Sequence, residues 1–137
     1  LAQKAARKPL TIVGDGSQTR DFIHVSDLKN AMIKIAKSDL SNEIFNLGSG
    51  KEVSINKIAD LIGGKKVFVP KRPNEPQRSC ADITKIKNSI DWEPKITIEK
   101  GIEKLLKNID YWKNASIRTP KNIDLSTREW FKILSKN

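Results

Sequence analysis

Pro9-Leu10-Thr11-Ile12-Val13-Gly14-Asp15-Gly16-Ser17-Gln18-Thr19-Arg20-Asp21-Phe22-Ile23-His24-Val25-Ser26-Asp27 is the stretch that decides how this chain folds. Leu10 to Val13, β-branched at each of its last three positions, predicts a strand, and Gly14-Asp15-Gly16 interrupts it with turn chemistry. Phe22 to Val25 predicts a second strand, which would include His24. Ser26 is the expected N-cap of the helix that follows. Asp27 falls in its first turn, where a negative charge suits the helix dipole. Leu28, Ala31, Met32, Ile35 and Ala36 then recur at helical spacing and predict one apolar face. Arg20 stands between turn and strand. A guanidinium is always charged and can grip two oxyanion oxygens, so from this rigid base it could reach into a cleft. The plainer alternative is a surface arginine paired with Asp15 or Asp21.

The same alternation continues on both sides. Residues 1–8 read as the end of a helix. Glu43 to Leu47 predicts a strand closed by Gly48-Ser49-Gly50. Ser54 caps a short helix carrying Ile55, Ile58, Ala59 and Ile62, and Gly63-Gly64 stops it. Lys66 to Val69 predicts a strand, and a proline-rich loop runs from Pro70 to about Ser79. Thr84 to Ser89 predicts a short helix. Thr97 opens what reads as the longest helix, with Ile98, Ile102, Leu105, Leu106, Ile109 and Trp112 as its buried stripe. Asn114 to Lys121 reads as a linker, and Ser126 with Glu129 as the capping box of a last helix bearing Trp130, Phe131 and Leu134. Short strands alternating with capped helices predict a small α/β domain with a mixed or partly parallel sheet.

The Pro9–Asp27 motif closely resembles the substrate-domain signature of the nucleotide-sugar epimerases and dehydratases of the extended short-chain dehydrogenase/reductase family. Lys71-Arg72-Pro73-Asn74-Glu75 resembles that family's Arg-Pro-Gly-Asp loop, and Ala81-Asp82 with Trp92-Glu93-Pro94 follow in the family's order. The resemblance covers about residues 1–113. It implies a smaller substrate domain that closes over a nucleotide-diphosphate sugar beside an N-terminal Rossmann domain holding NAD. It also implies the site: Arg20 and Arg72 on the diphosphate, the backbone of Thr11 and Val13 along the base, and Glu75 on a ribose hydroxyl, one methylene longer than the family's aspartate. Asn46 matches the Asn of an Asn-x-Gly-x-Gly segment, with a structural role equally open. For Thr11 and Val13, ordinary sheet pairing is an equal alternative. Arg78 is a third phosphate neighbour or, preferably, a structural ion-pair partner. Asp82 and Trp92 read as helix capping and core closure.

What the family needs for chemistry is not found in these residues. Gly-x-Gly occurs only at Gly14/Gly16 and Gly48/Gly50, and Thr19 and Val53 stand where third glycines belong. The only tyrosine, Tyr111, has Ala115 four residues on in place of lysine. No catalytic residue is therefore assigned. The resemblance implies that the parent's Tyr-x-x-x-Lys pair deprotonates a sugar hydroxyl while NAD takes the hydride, with this portion inactive alone. The expected organisation is a substrate-binding domain over 1–113, a linker over 114–121 and a helical extension over 122–137. Leu1 in place of Met suits a piece of a longer protein, and an apolar surface facing the remainder is expected.

Composition narrows the rest. The chain has 137 residues, 37% hydrophobic, enough for one core. No apolar run nears the roughly 20 residues of a membrane span. A single cysteine, Cys80, makes no internal disulfide, so a cytoplasmic setting is the default. One histidine and one cysteine make no zinc site, and no metal is expected. Asn114-Ala115-Ser116 matches a glycosylation sequon and is read as chance. The net charge of +10 suits an anionic partner, yet most of it is lysine spread along the chain, which reads first as a solvated surface. The rival functions are a basic nucleic-acid-binding module, which the scattered charge makes the lesser expectation, and a scaffold protein acting through its last helix. A homodimer remains open.

Overall fold

A computed structural model describes residues 1–117 and 119–134, and two small apolar clusters organise them. After a single helical turn, α1 (Ala2–Ala5), strand β1 (Leu10–Val13) buries Leu10 and Ile12. These pack with Ala59, Ile55 and Ile62 of helix α3 (Ile55–Ile62). Strand β4 (Lys66–Val69) runs parallel to β1 with Ile12 opposite Phe68. Strand β2 (Thr19–Asp21) pairs antiparallel with β3 (Glu52–Ser54), Arg20 opposite Val53. The expected single sheet is thus two two-stranded sheets. The turn between β1 and β2 separates them. Gly14 and Gly16 take φ of 65° and 75°, where a side chain is strained. Gln18 Nε2 donates to the Val13 carbonyl at 2.8 Å, and Gln3 Oε1 accepts from the Thr11 amide at 3.1 Å. Both contacts occupy the edge of β1 that a further strand would use.

The second cluster joins Ala31, Ile86 and Trp92, with Ile35, Phe45, Leu47 and Ile90 packed around them. Helix α2 (Val25–Ala36) supplies Ala31, and α4 (Thr84–Ile90) supplies Ile86. Asp82 Oδ1 accepts the Thr84 amide at 2.9 Å and Trp92 is only 4% exposed, which gives both their structural roles. The expected strand at Phe22–Val25 does not form. The chain leaves the ladder after Asp21, and His24, not Ser26, caps α2, its Nδ1 accepting the Ser26 amide at 3.1 Å. Asp27 is buried, and its Oδ2 accepts the Ile96 amide at 2.9 Å, so it ties α2 to the approach of α5 besides facing the helix dipole. Residues 43–47 also form no ladder. They still alternate, with Phe45 and Leu47 inward and Ile44 85% exposed. Met32, expected on the buried face of α2, is exposed, as are Val25 and Ile44.

Ser54 Oγ caps α3 by accepting the Lys57 amide, and Gly63 ends it at φ 71°. Thr97 caps α5 (Ile98–Lys107), which is shorter than expected. Residues Ile109–Trp112 form a 3-10 turn, and Leu105 faces solvent. Among the described residues the longest helix is α6 (Pro120–Leu134), which buries none of them. The capping-box reading at Ser126 and Glu129 is wrong. Ser126 donates to the Ile123 carbonyl inside the helix, and Glu129 pairs with Lys132. Thr119 Oγ1 accepts the Asn122 amide instead, with Pro120 at the first helical position, where its missing N–H costs nothing. The linker therefore ends before Pro120. Arg118 of that linker and residues 135–137 of the extension lie outside the described residues.

Candidate functional site

The glycine turn is rigid because its own side chains close it. Asp15 Oδ1 accepts from the Ser17 amide at 2.9 Å and from the Ser17 hydroxyl at 2.7 Å, and these bonds hold the Asp15 carboxyl below its ordinary pKa. Asn56 Nδ2 donates to the Asp15 carbonyl at 2.8 Å. The proline-rich loop then docks on the turn. The Thr19 amide donates to the Gln77 carbonyl at 2.9 Å, and Gln77 Nε2 to Ser17 Oγ at 3.0 Å.

That docking brings Glu75 to Arg20. Their ion pair spans 3.5 Å, and both side chains are about three-quarters buried, at 25% and 24% exposure. Arg20 also donates from Nη1 to the Thr19 carbonyl at 2.7 Å. Its partner is thus neither Asp15 nor Asp21. At 3.5 Å the contact with Glu75 is longer than a well-formed charge-assisted hydrogen bond, so a bidentate anion could take its place.

The other expected residues divide. Arg72 lines a groove between β4 and α6 that Arg20 does not line. Its guanidinium carbon lies 5.8 Å from the ring centre of Trp130 in α6. β1 pairs on one side only, with Thr11 and Val13 on its other edge. The donor of Thr11 and the acceptor of Val13 on that edge are already held by Gln3 and Gln18, so a base would have to displace those side chains. Asn46 is exposed within the unpaired stretch 43–47. Arg78 pairs with Glu52 at 2.5 Å, and Glu52 also accepts the Thr19 hydroxyl, which makes Arg78 structural.

Asp21 is the residue that sequence reasoning missed. Burial pushes its carboxyl up, but hydrogen bonds from Ser49, Ala81 and Gly50 outweigh it and hold the pKa below the ordinary value. Oδ1 accepts the Ser49 amide at 2.6 Å, and Oδ2 accepts the amides of Gly50 at 3.0 Å and Ala81 at 3.2 Å. A signal was present, since a carboxylate adjoins Arg20 and a Gly-Ser-Gly turn offers converging amides. The same bonds settle what Gly48-Ser49-Gly50 can do. A glycine turn of this kind cradles phosphate when its amides are open, but here they are turned onto Asp21. Neither glycine pair fits a dinucleotide, and no step is assigned to one on this chain. Among the described residues, no group of three metal-ligating side chains comes together and no helix is long and apolar enough to cross a membrane.

This fold is shared with known proteins. The model of a family described as GDP-mannose 4,6 dehydratase matches residues 1–105. The chain belongs to the extended short-chain dehydrogenase/reductase family of nucleotide-sugar epimerases and dehydratases. It is 37% identical over 112 residues to UDP-glucuronic acid decarboxylase 1 of Xenopus tropicalis, covering 77% of this chain and 26% of that protein. It is 37% identical over 123 residues to UDP-glucuronate 4-epimerase of Thermodesulfobacterium geofontis, covering 85% and 36%. Its fold superposes on the UDP-glucuronic acid 4-epimerase of Bacillus cereus in complex with UDP-glucuronic acid and NAD. The TM-score is 0.72 at 29% identity, covering 84% of this chain and 38% of that one. The chain therefore spans between a quarter and two-fifths of the length of these relatives.

Proposed function

We propose that this chain is the nucleotide-sugar-binding portion of a larger NAD-dependent epimerase or dehydratase. Residues 1–113 form the binding domain, and the rest of the parent carries NAD and the reacting groups. The observation that carries the reading is Arg20. It sits on a strand behind a locked glycine turn, three-quarters buried, and is held by one loose carboxylate from the loop that closes on it. A diphosphate would displace Glu75 and take two donors at once. Glu75, released, would lie within the same loop as a partner for ribose hydroxyls. The edge of β1 at Thr11 and Val13 would receive the base, and Asn46 would face the sugar side. Arg72 joins this site only by turning away from Trp130. The chain's share of catalysis is then binding energy from the non-reacting half of the substrate, which orients the sugar for chemistry elsewhere. A Rossmann domain of the same parent, a cytoplasmic setting and a homodimer belong to the same proposal.

Isothermal titration of the chain with UDP tests it, with uridine as the control that lacks phosphate. UDP should bind more tightly than uridine, and Arg20→Ala should weaken UDP about tenfold or more while leaving uridine unchanged. Equal affinity of wild type and Arg20→Ala for UDP would sink the assignment.

A further inference from the structure

The loop that carries Glu75 is fixed on both sides of it. Asn74 before it takes a φ of 58°, in the left-handed region that asparagine tolerates. Pro76 after it has a fixed φ and confines Glu75 to extended backbone. Gln77 then clasps the glycine turn twice. Its carbonyl accepts the Thr19 amide at 2.9 Å, and its Nε2 donates to Ser17 Oγ at 3.0 Å. Arg78 ties the far end of the loop to Glu52. None of these contacts uses the Glu75 carboxylate. Among the described residues, the one ion-pair partner of that carboxylate is Arg20, and Arg20 has no other. The backbone therefore holds the Glu75 Cα in place, and rotation of the side chain alone decides whether the carboxylate stays on the guanidinium. A carboxylate tethered in this way competes at high effective concentration with any free anion, because its association loses no translational freedom. At 3.5 Å the pair is also loose enough to exchange.

The geometry points to Glu75 as an autoinhibitory counter-ion. In the ligand-free chain it fills the anion seat of Arg20, and a diphosphate enters as the Glu75 side chain rotates out, with the Gln77 clasp unbroken. The inference rests on the diphosphate reading at Arg20 and deepens it. It makes Glu75 a competitor for that seat, so that removing its charge tightens a diphosphate.

Isothermal titration of the chain with inorganic pyrophosphate tests it, since that probe has neither base nor ribose. Glu75→Gln keeps the size of the side chain and every anchor of the loop, and should tighten pyrophosphate about fivefold. Arg20→Ala should weaken pyrophosphate, and adding Glu75→Gln to it should recover nothing. Glu103→Gln, which removes the same charge from an exposed position on α5, should leave the affinity at the wild-type value. An Arg20→Ala variant that binds like wild type would strike the diphosphate reading, and the inference with it. Weakening by Arg20→Ala with no gain from Glu75→Gln would overturn the inference alone. So would an equal gain from Glu103→Gln, or a gain from Glu75→Gln that persists without Arg20, because either marks a general effect of net charge.

Discussion

Replacing Asp21 with asparagine keeps the shape of the side chain and removes what the fold uses it for. Oδ1 serves the Ser49 amide and hydroxyl, and Oδ2 serves the amides of Gly50 and Ala81. Asparagine has one acceptor oxygen, so in either rotamer two of these donors meet an NH2 group instead. Hydrogen bonds to a charged acceptor contribute about 1.5–3 kcal/mol each. Asp21 is only partly buried, and water will satisfy some of the loss, so about 2–4 kcal/mol in total is expected, a large part of a domain's usual 5–15 kcal/mol. Urea unfolding followed by tryptophan fluorescence should show the midpoint falling by roughly 1–2 M. The pH dependence adds a separate check. The folded Asp21 pKa lies below its unfolded value, so its contribution is complete above the unfolded carboxylate pKa of about 4 and is lost as pH falls through the folded one. The stability gap between wild type and Asp21→Asn should therefore be full at pH 6 to 7 and close in acid. A midpoint within about 0.3 M of wild type at neutral pH, or a gap that does not change with pH, would refute the reasoning.

Gly48→Ala tests the same junction from the other side. Its Cβ would stand 2.6 Å from Ala81 Cβ and press on the Asp21 carboxylate, so a loss of about 1–3 kcal/mol, read as a lower thermal midpoint by circular dichroism, is expected. Trp92→Ala opens a cavity beside Ala31 and Ile86 and should cost about 3–5 kcal/mol, visible as loss of near-ultraviolet circular dichroism at room temperature.

What could be read from the sequence was what local chemistry decides. Ser54 and Gly63 bound α3 because a cap and a left-handed stop act within one turn, and β1 and β4 follow from their β-branched residues. Local signals failed where two competed. Ser126-x-x-Glu129 is a sound capping pattern, but Pro120 behind Thr119 starts the helix earlier and leaves it no terminus to cap. At His24 an imidazole nitrogen took the role expected of Ser26, and the strand before it lost the residues the helix needed. The candidate site was partly legible. Arg20 stands where the motif implies, but its partner Glu75 comes from a loop far along the chain, and Arg72 is claimed by a helix outside the recognised pattern.

The two arginines show why this boundary is physical. A backbone motif sets where a Cα goes, but a guanidinium on a flexible stem goes to whichever acceptor or ring the tertiary fold brings near. Arg20 is held close to its root by the Thr19 carbonyl, so its side chain has little freedom beyond the short exchange between Glu75 and an incoming anion. Arg72 has no such local bond, and its direction depends on whether Trp130 is there to receive it. Positional inference from a motif is therefore sound for the first and conditional for the second. The diphosphate reading accordingly rests on Arg20, and Arg72 adds to it only by turning away from Trp130.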